Sequence, residues 1–311
     1  MGGSRFDATD FASFTRSATK GGTAPISSAF TARAMTSALD PKDIAVRESR
    51  DSAANPQSTP VIVGLDVTGS MGSLSHTIAN SGMKVLFEAI YDRKPVTDPH
   101  IMFMGIGDVA YDRSPLQVSQ FEADIRLAEQ LISLHIEGGG GGNHSESYTL
   151  PWYFAAMKVS ADAIEKRGKK GYLFTVGDEE CPKVVRASEF EKVFGPGQWT
   201  DLTTQQLLDM VQRNWHTFHI VAEEGDYCRQ AGADHVVRSW NAILGQRVIR
   251  MSDHTKLAEI VVSAMQVTEG ESVAAVAKSW GGDTSLVVSR AVSGLVPAAT
   301  SGAAGTALTD F

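Results

Sequence analysis

The chain has 311 residues, 42% of them hydrophobic and 21% charged, which is enough apolar material for one large core or two small ones. Lys and Arg number 28 against 36 Asp and Glu, a net charge of -8 without any basic run, so nucleic acid is not an expected partner. No stretch approaches the roughly 20 apolar residues of a membrane span, and two cysteines, Cys181 and Cys228, without metal-ligand spacing fit a reducing compartment.

The opening MGGSRFDATDFASF has no basic segment followed by an apolar run, and Phe6 stands where a myristoylation signal has Ser or Thr. A soluble cytoplasmic protein is expected. Residues 1–58, rich in Ser, Thr, Ala and Asp, are either disordered or an extended arm, with Ile44–Glu48 able to pair as an edge strand. Val61-Ile62-Val63-Gly64-Leu65 is a β-branched apolar run, the pattern of a strand buried on both faces in a parallel sheet. A helix is expected from about Thr77 to Tyr91, its apolar face made by Ile78, Val85, Leu86, Ala89 and Ile90. Ile101–Ile106 is a second buried strand, and Pro115–Phe121 a short edge strand.

Glu122–Leu134 is amphipathic and precedes Glu137 and five consecutive glycines, Gly138 to Gly142. The pattern predicts one helix from about Tyr148 to Arg167 with Pro151 in its first turn. Strands follow at Gly171–Val176, Thr217–Ala222 and Arg247–Met251, with helices at Ala187–Val193, Thr203–Arg213 and His254–Val267. Beyond that the rhythm is lost, and from about Ser293 the composition predicts a flexible tail. Strand, helix, strand in repetition is the mark of a doubly wound α/β fold.

Several strands end in acids: Asp66, Asp108 and Asp178. Ligands of open α/β sheets bind beyond the carboxyl ends of the strands, and clustered carboxylates repel unless a cation offsets them. Asp66-Val67-Thr68-Gly69-Ser70 presents one carboxylate and two hydroxyls from a single turn, which Gly69 lets bend tightly. Hard oxygen donors of this kind suit Mg²⁺ or Mn²⁺, Ca²⁺ less readily, and not Zn²⁺.

These residues resemble the metal-ion-dependent adhesion site of the von Willebrand factor type A family, written Asp-x-Ser-x-Ser, with Thr68 keeping the first hydroxyl. The resemblance includes the strand before the motif, Met71-Gly72 after it, and the order of elements from about residue 60 to about residue 265. It implies a Rossmann-like α/β/α sandwich with a mostly parallel sheet over residues 59–268, an N-terminal arm at 1–58 and a C-terminal extension at 269–311, flexible towards its end. It also implies a divalent metal, Mg²⁺ or Mn²⁺, held by Asp66, Thr68 and Ser70. Asp178 takes the place of the family's closing aspartate, although Gly177-Asp178-Glu179 departs from the usual Thr-Asp-Gly. The middle threonine of the family is replaced by the loop Asn143-His144-Ser145-Glu146, where Asn143 and Ser145 are both candidates. The implied partner is a protein presenting an Asp or Glu, and intracellular members often serve as adaptors, some with AAA+ ATPases.

Other readings stand beside this one. Thr68 and Ser70 could simply cap the next helix. A metal-dependent hydrolase would use the same carboxylates but needs a strong base, for which only His144 offers itself. A structural subunit of a larger assembly is the third reading. The glycine run lacks the Gly-Lys-Ser/Thr ending of a phosphate-binding loop. His216 and His219 should face opposite sides of a strand, Cys181 reads as a plain thiol, and Glu146, Glu179 and Glu180 are either surface charge or a second cation site. Asp108 and Asp112 either line the rim or are neutralised by Arg113.

Overall fold

The computed structural model describes residues 32–77, 83–138 and 144–298. In chain order its elements are β1 (Arg47–Ser49), β2 (Thr59–Asp66), α1 (Ser73–Thr77), α2 (Met83–Arg93), β3 (Pro99–Ile106), β4 (Leu116–Val118), α3 (Arg126–Ile132), α4 (Leu150–Met157), β5 (Val159–Ala161), α5 (Asp162–Arg167), β6 (Gly171–Gly177), β7 (Val184–Val185) and α6 (Ala187–Phe194). They continue with β8 (Leu202–Thr203), α7 (Thr204–Val211), β9 (Trp215–Ala222), α8 (Asp226–Ala231), α9 (Ala233–Leu244), β10 (Val248–Met251), α10 (Leu257–Thr268), α11 (Val273–Ser279) and α12 (Gly282–Val292).

Six strands form the central sheet in the order β10-β9-β6-β2-β3-β4, all parallel except β4, which runs antiparallel along β3. Period-two alternation sends Val61, Val63 and Leu65 of β2 into one core and Ile62 into the other. The first core packs against α2, α3 and α10 to α12, the second against α4, α6, α7 and α9. The chain is thus an α/β/α sandwich with a mostly parallel sheet. From β2 the chain crosses to β3 on one side and later to β6 on the other. The crevice at the carboxyl end of β2 is therefore a topological switch point, where such sheets bind ligands. Among the described residues no helix is long and apolar enough to cross a membrane.

Four expectations need correction. The single helix over 148–167 is broken: α4 stops at Met157, Val159–Ala161 becomes β5, and α5 follows. The cause is tertiary. Backbone pairing with β1, the Lys158 ammonium donating to Ile44 O at 2.5 Å, and Arg50 clasping Asp162 at 2.9 Å together outbid helical continuity. The strand foreseen at 44–48 is accordingly β1, outside the main sheet.

The helix expected over 77–91 is two helices, α1 and α2, with Ile78 outside the described residues; Leu86, Ala89 and Ile90 are buried, but Val85 is 37% exposed. The amphipathic stretch 122–134 is helical only over α3, because Glu122 instead bridges Ile101 in antiparallel fashion. The rhythm thought lost after residue 268 is carried by α11 and α12, whose Val276, Ala277, Val288, Ala291 and Val292 join the first core. Trp280 fastens this segment, its indole N–H donating to Ser263 at 2.7 Å while the Arg93 guanidinium lies 3.2 Å over its ring. Small Ala, Val and Ser side chains had hidden the helical period. The segment 226–244, for which no element was foreseen, forms α8 and α9, hinged at Gly232 with φ of 89°.

Candidate metal centre

Asp66 is the last residue of β2 and is wholly buried. Its Oδ1 accepts hydrogen bonds from the Thr68 amide at 2.9 Å and the Thr68 hydroxyl at 2.6 Å; its Oδ2 accepts from the Tyr148 hydroxyl at 2.5 Å. The Thr68 and Ser70 hydroxyl oxygens lie 3.3 Å apart, and Ser70 donates to Asp178 Oδ1 at 2.8 Å. The second oxygen of Asp178 accepts the Tyr227 amide at 2.9 Å. Four of the foreseen residues, Asp66, Thr68, Ser70 and Asp178, thus stand together as two hydrogen-bonded pairs, Thr68 with Asp66 and Ser70 with Asp178, spanning two loops at the switch point. Because the Ser70 and Thr68 protons point at carboxylates, the hydroxyl lone pairs stay free for a cation.

Neighbouring strands and loops hold this geometry. Val67 N donates to Ile106 O at 2.9 Å, the Ser75 hydroxyl to Asp66 O at 2.9 Å, and Asp226 N to Ser70 O at 3.0 Å. Tyr148 gains access only because Gly177 has no side chain: a Cβ there would lie 2.2 Å from the phenol oxygen. Gly225 is equally constrained, as a Cβ would fall 2.3 Å from the Asp178 side chain. These two glycines serve close approach.

The third loop is only partly described. Asn143 lies outside the described residues. Ser145 lines a small cavity with Asp108 and Glu146, its hydroxyl 3.4 Å from Glu146 O, and its loop is tied to the end of β6 by Glu180 N donating to His144 O at 3.1 Å. Gly138 N donates to Val67 O at 3.1 Å, which brings the start of the glycine run to the first loop.

Burial and mutual repulsion raise the carboxyls gathered here. Burial, then repulsion from Asp178, pushes the Asp66 carboxyl up to about 7 against the hydrogen bonds from Thr68 and Tyr148. Asp178 is also raised, chiefly by burial. Glu179 is pushed up to about 8 and Glu146 to about 10, in each case first by burial and next by the charge of Asp66. Glu146 and Glu179 are 3% and 5% exposed, and one oxygen of each is buried without a hydrogen bond. Buried carboxylates with unused oxygens are costly unless a positive charge joins them. Two acids and two hydroxyls form a hard-oxygen donor set that Mg²⁺ or Mn²⁺ satisfies.

Other foreseen groups separate from the centre. Glu180 is engaged by the Tyr227 hydroxyl at 2.6 Å and by His235 at 2.9 Å, away from Glu146 and Glu179 in role. Asp112 accepts the Asp108 amide at 2.7 Å, and the Arg113 amide donates to Glu137 at 2.9 Å. His216 packs on Tyr172 and His219 on Trp240, on opposite faces of β9, as the strand period required. Burial raises the Cys181 thiol to about 12, so it stays protonated. Glu224, Asp253 and His254 bring ligand atoms within 4.8 Å of one another, but all three are partly exposed and already engaged: His254 bonds Glu224 at 2.8 Å and Asp253 caps Thr255.

Sequence reading missed Tyr148, Tyr227 and Gly225. Tyr148 and Tyr227 are single aromatic or polar residues at the starts of helices and carry no motif. The small residue before Asp178 was the available sign that something must approach closely there.

No family model matches the sequence, and no curated protein matches it. Among solved structures, the pilus adhesin SpaC from Lactobacillus rhamnosus GG in its open conformation is 10% identical, with a TM-score of 0.45, over 72% of this chain and 32% of that one. A von Willebrand factor type A protein from Catenulispora acidiphila is 16% identical, with a TM-score of 0.38, over 70% of this chain and 44% of that one. The chain therefore spans about a third of the adhesin and less than half of the second structure.

Proposed function

We propose that this protein is a divalent-metal-dependent protein-binding module whose centre captures an Asp or Glu side chain of a partner. The observation that carries this reading is the cluster of two carboxylates and two hydroxyls, Asp66 with Thr68 and Asp178 with Ser70, whose hydroxyl oxygens lie 3.3 Å apart at the switch point of the sheet. Mg²⁺ or Mn²⁺ is the expected ion, Ca²⁺ less readily. Asp66, Thr68, Ser70 and Asp178 are assigned to hold it, with Asn143 and Ser145 as the candidates of the third loop, directly or through water. When bound, the ion supplies Lewis acidity toward an anionic oxygen. The chain's own residues supply orientation: Tyr148 fixes the Asp66 carboxylate, and the Tyr227 amide fixes Asp178. Hydroxyl donors add no negative charge, which leaves the ion an appetite for an outside carboxylate. Adaptor work in an assembly, including one built around an AAA+ ATPase, accords with that chemistry.

The test is a pull-down from native lysate with and without EDTA, repeated with Asp66→Ala and Ser70→Ala. Partners recovered only from the wild type with metal present are expected. The same partners in every arm overturn the reading. Turnover of a phosphoester panel with Mn²⁺, abolished in Asp66→Ala, would replace it with a hydrolase.

A further inference from the structure

A cavity of about 200 Å³ opens beside the carboxyl ends of β3 and β6, lined by Asp108, Ser145, Glu146, Ser147, Thr149 and Lys183 among others. Two of its side chains are buried with unused polar atoms. Glu146 Oε2 takes no hydrogen bond although the residue is 3% exposed. Thr149 is 0% exposed, and its hydroxyl has no partner. Thr149 precedes α4 with helical backbone angles, φ -93° and ψ -8°, and its hydroxyl makes no cap bond. A buried hydroxyl without a hydrogen-bond partner is costly unless a ligand engages it.

From these observations we infer that the cavity is a second divalent-cation site, separate from the Asp66 centre, in which Glu146, Asp108 and Thr149 supply the oxygen donors. Two carboxylates balance a charge of +2, and carboxylate and hydroxyl oxygens suit a hard cation. Asp108 is 2% exposed, and its Oδ1 accepts the Ala110 amide at 2.7 Å, which holds the carboxylate in a turn at the end of β3. Lys183 is the competing positive charge at the wall.

The inference does not rest on partner capture by the Asp66 centre. Its test is equilibrium dialysis of the full chain against Mn²⁺, followed by metal analysis. The wild type should hold two ions, Asp66→Asn and Glu146→Gln one each, and the double variant none. Thr149→Val keeps the side-chain shape and removes the donor. It should weaken the second site about tenfold, which corresponds to about 1.4 kcal/mol, while leaving the first unchanged. This variant also decides the matter if Glu146→Gln fails to fold. One ion in the wild type that Asp66→Asn removes and Glu146→Gln retains overturns the inference and leaves the proposed function intact. One ion that only Glu146→Gln removes upholds the second site and overturns the Asp66 centre. Thr149→Val with unchanged binding, or a wild type without bound metal, overturns the inference.

Discussion

The two edges of the sheet differ in a way that volume alone misreads. At the amino edge lies the larger cavity, about 790 Å³, lined by Lys94, Asp98, Lys169, Lys170, His216 and Glu269 among others. Its charges are of both signs, and Lys170 is already engaged by Gln212 O. At the carboxyl edge the space is smaller, but Asp66, Asp108, Glu146, Asp178 and Glu179 are buried together. Solvated charges cost little to keep, whereas desolvated like charges are retained at a cost and so mark where a ligand offsets them. The carboxyl edge is therefore where the proposed centre is placed.

Substitutions can break this contrast, beginning with the strongest. Asp66→Asn should lower Mg²⁺ affinity on the order of 100-fold or more in calorimetry, since losing a residue that only orients a ligand already costs about 10–100-fold. Unchanged affinity would remove the centre from consideration. Gly225→Ala forces a Cβ into Asp178, so about 1–3 kcal/mol of stability should be lost in denaturant titration, together with metal binding. Retention of both would mean that the α8 loop shifts freely.

Tyr148→Phe removes the donor to Asp66 and the acceptor of the Glu179 amide, and should weaken Mg²⁺ binding by about tenfold with the fold kept. Affinity equal to wild type would reduce Tyr148 to packing.

A pH series sharpens the same contrast. Glu179 titrates near 8 when folded against 4.5 ordinarily, so its neutral form favours the folded state below 4.5 and that stability is lost as pH rises through about 8. Asp66 and Glu146 act in the same direction. Between about pH 6.5 and 8, above the ordinary range of the buried His100 and His216, the melting temperature in EDTA should fall as pH rises. Excess Mg²⁺ should flatten that fall, because the cation favours the charged forms. A melting temperature that climbs over this window in EDTA contradicts the burial of these acids. The smallest effect belongs to the other edge: Lys169→Ala should change stability by no more than about 0.5 kcal/mol and leave Mg²⁺ binding alone.

Much of the fold could be read along the chain because β2, β3, β6 and β9 are buried on both faces and therefore appear as unbroken apolar runs. The acids that follow β2 and β6 were visible for the same reason, as a polar residue ending such a run is conspicuous. What sequence could not anticipate depended on contacts distant in the chain. The Arg47–Ser49 pairing breaks the helix at Val159, and Trp280 meets Ser263 and Arg93 only once α11 has docked.

The opening turn Asp66-Val67-Thr68-Gly69-Ser70 carries its donors within five residues, so local order alone specified the carboxylate and both hydroxyls. That Asp178 accepts from Ser70, that Tyr148 seizes Asp66, and that Glu146 and Thr149 are left buried with idle oxygens was decided by tertiary structure. The reason is physical. Donor chemistry is a property of the residue, whereas desolvation and partnership are properties of what the fold packs around it.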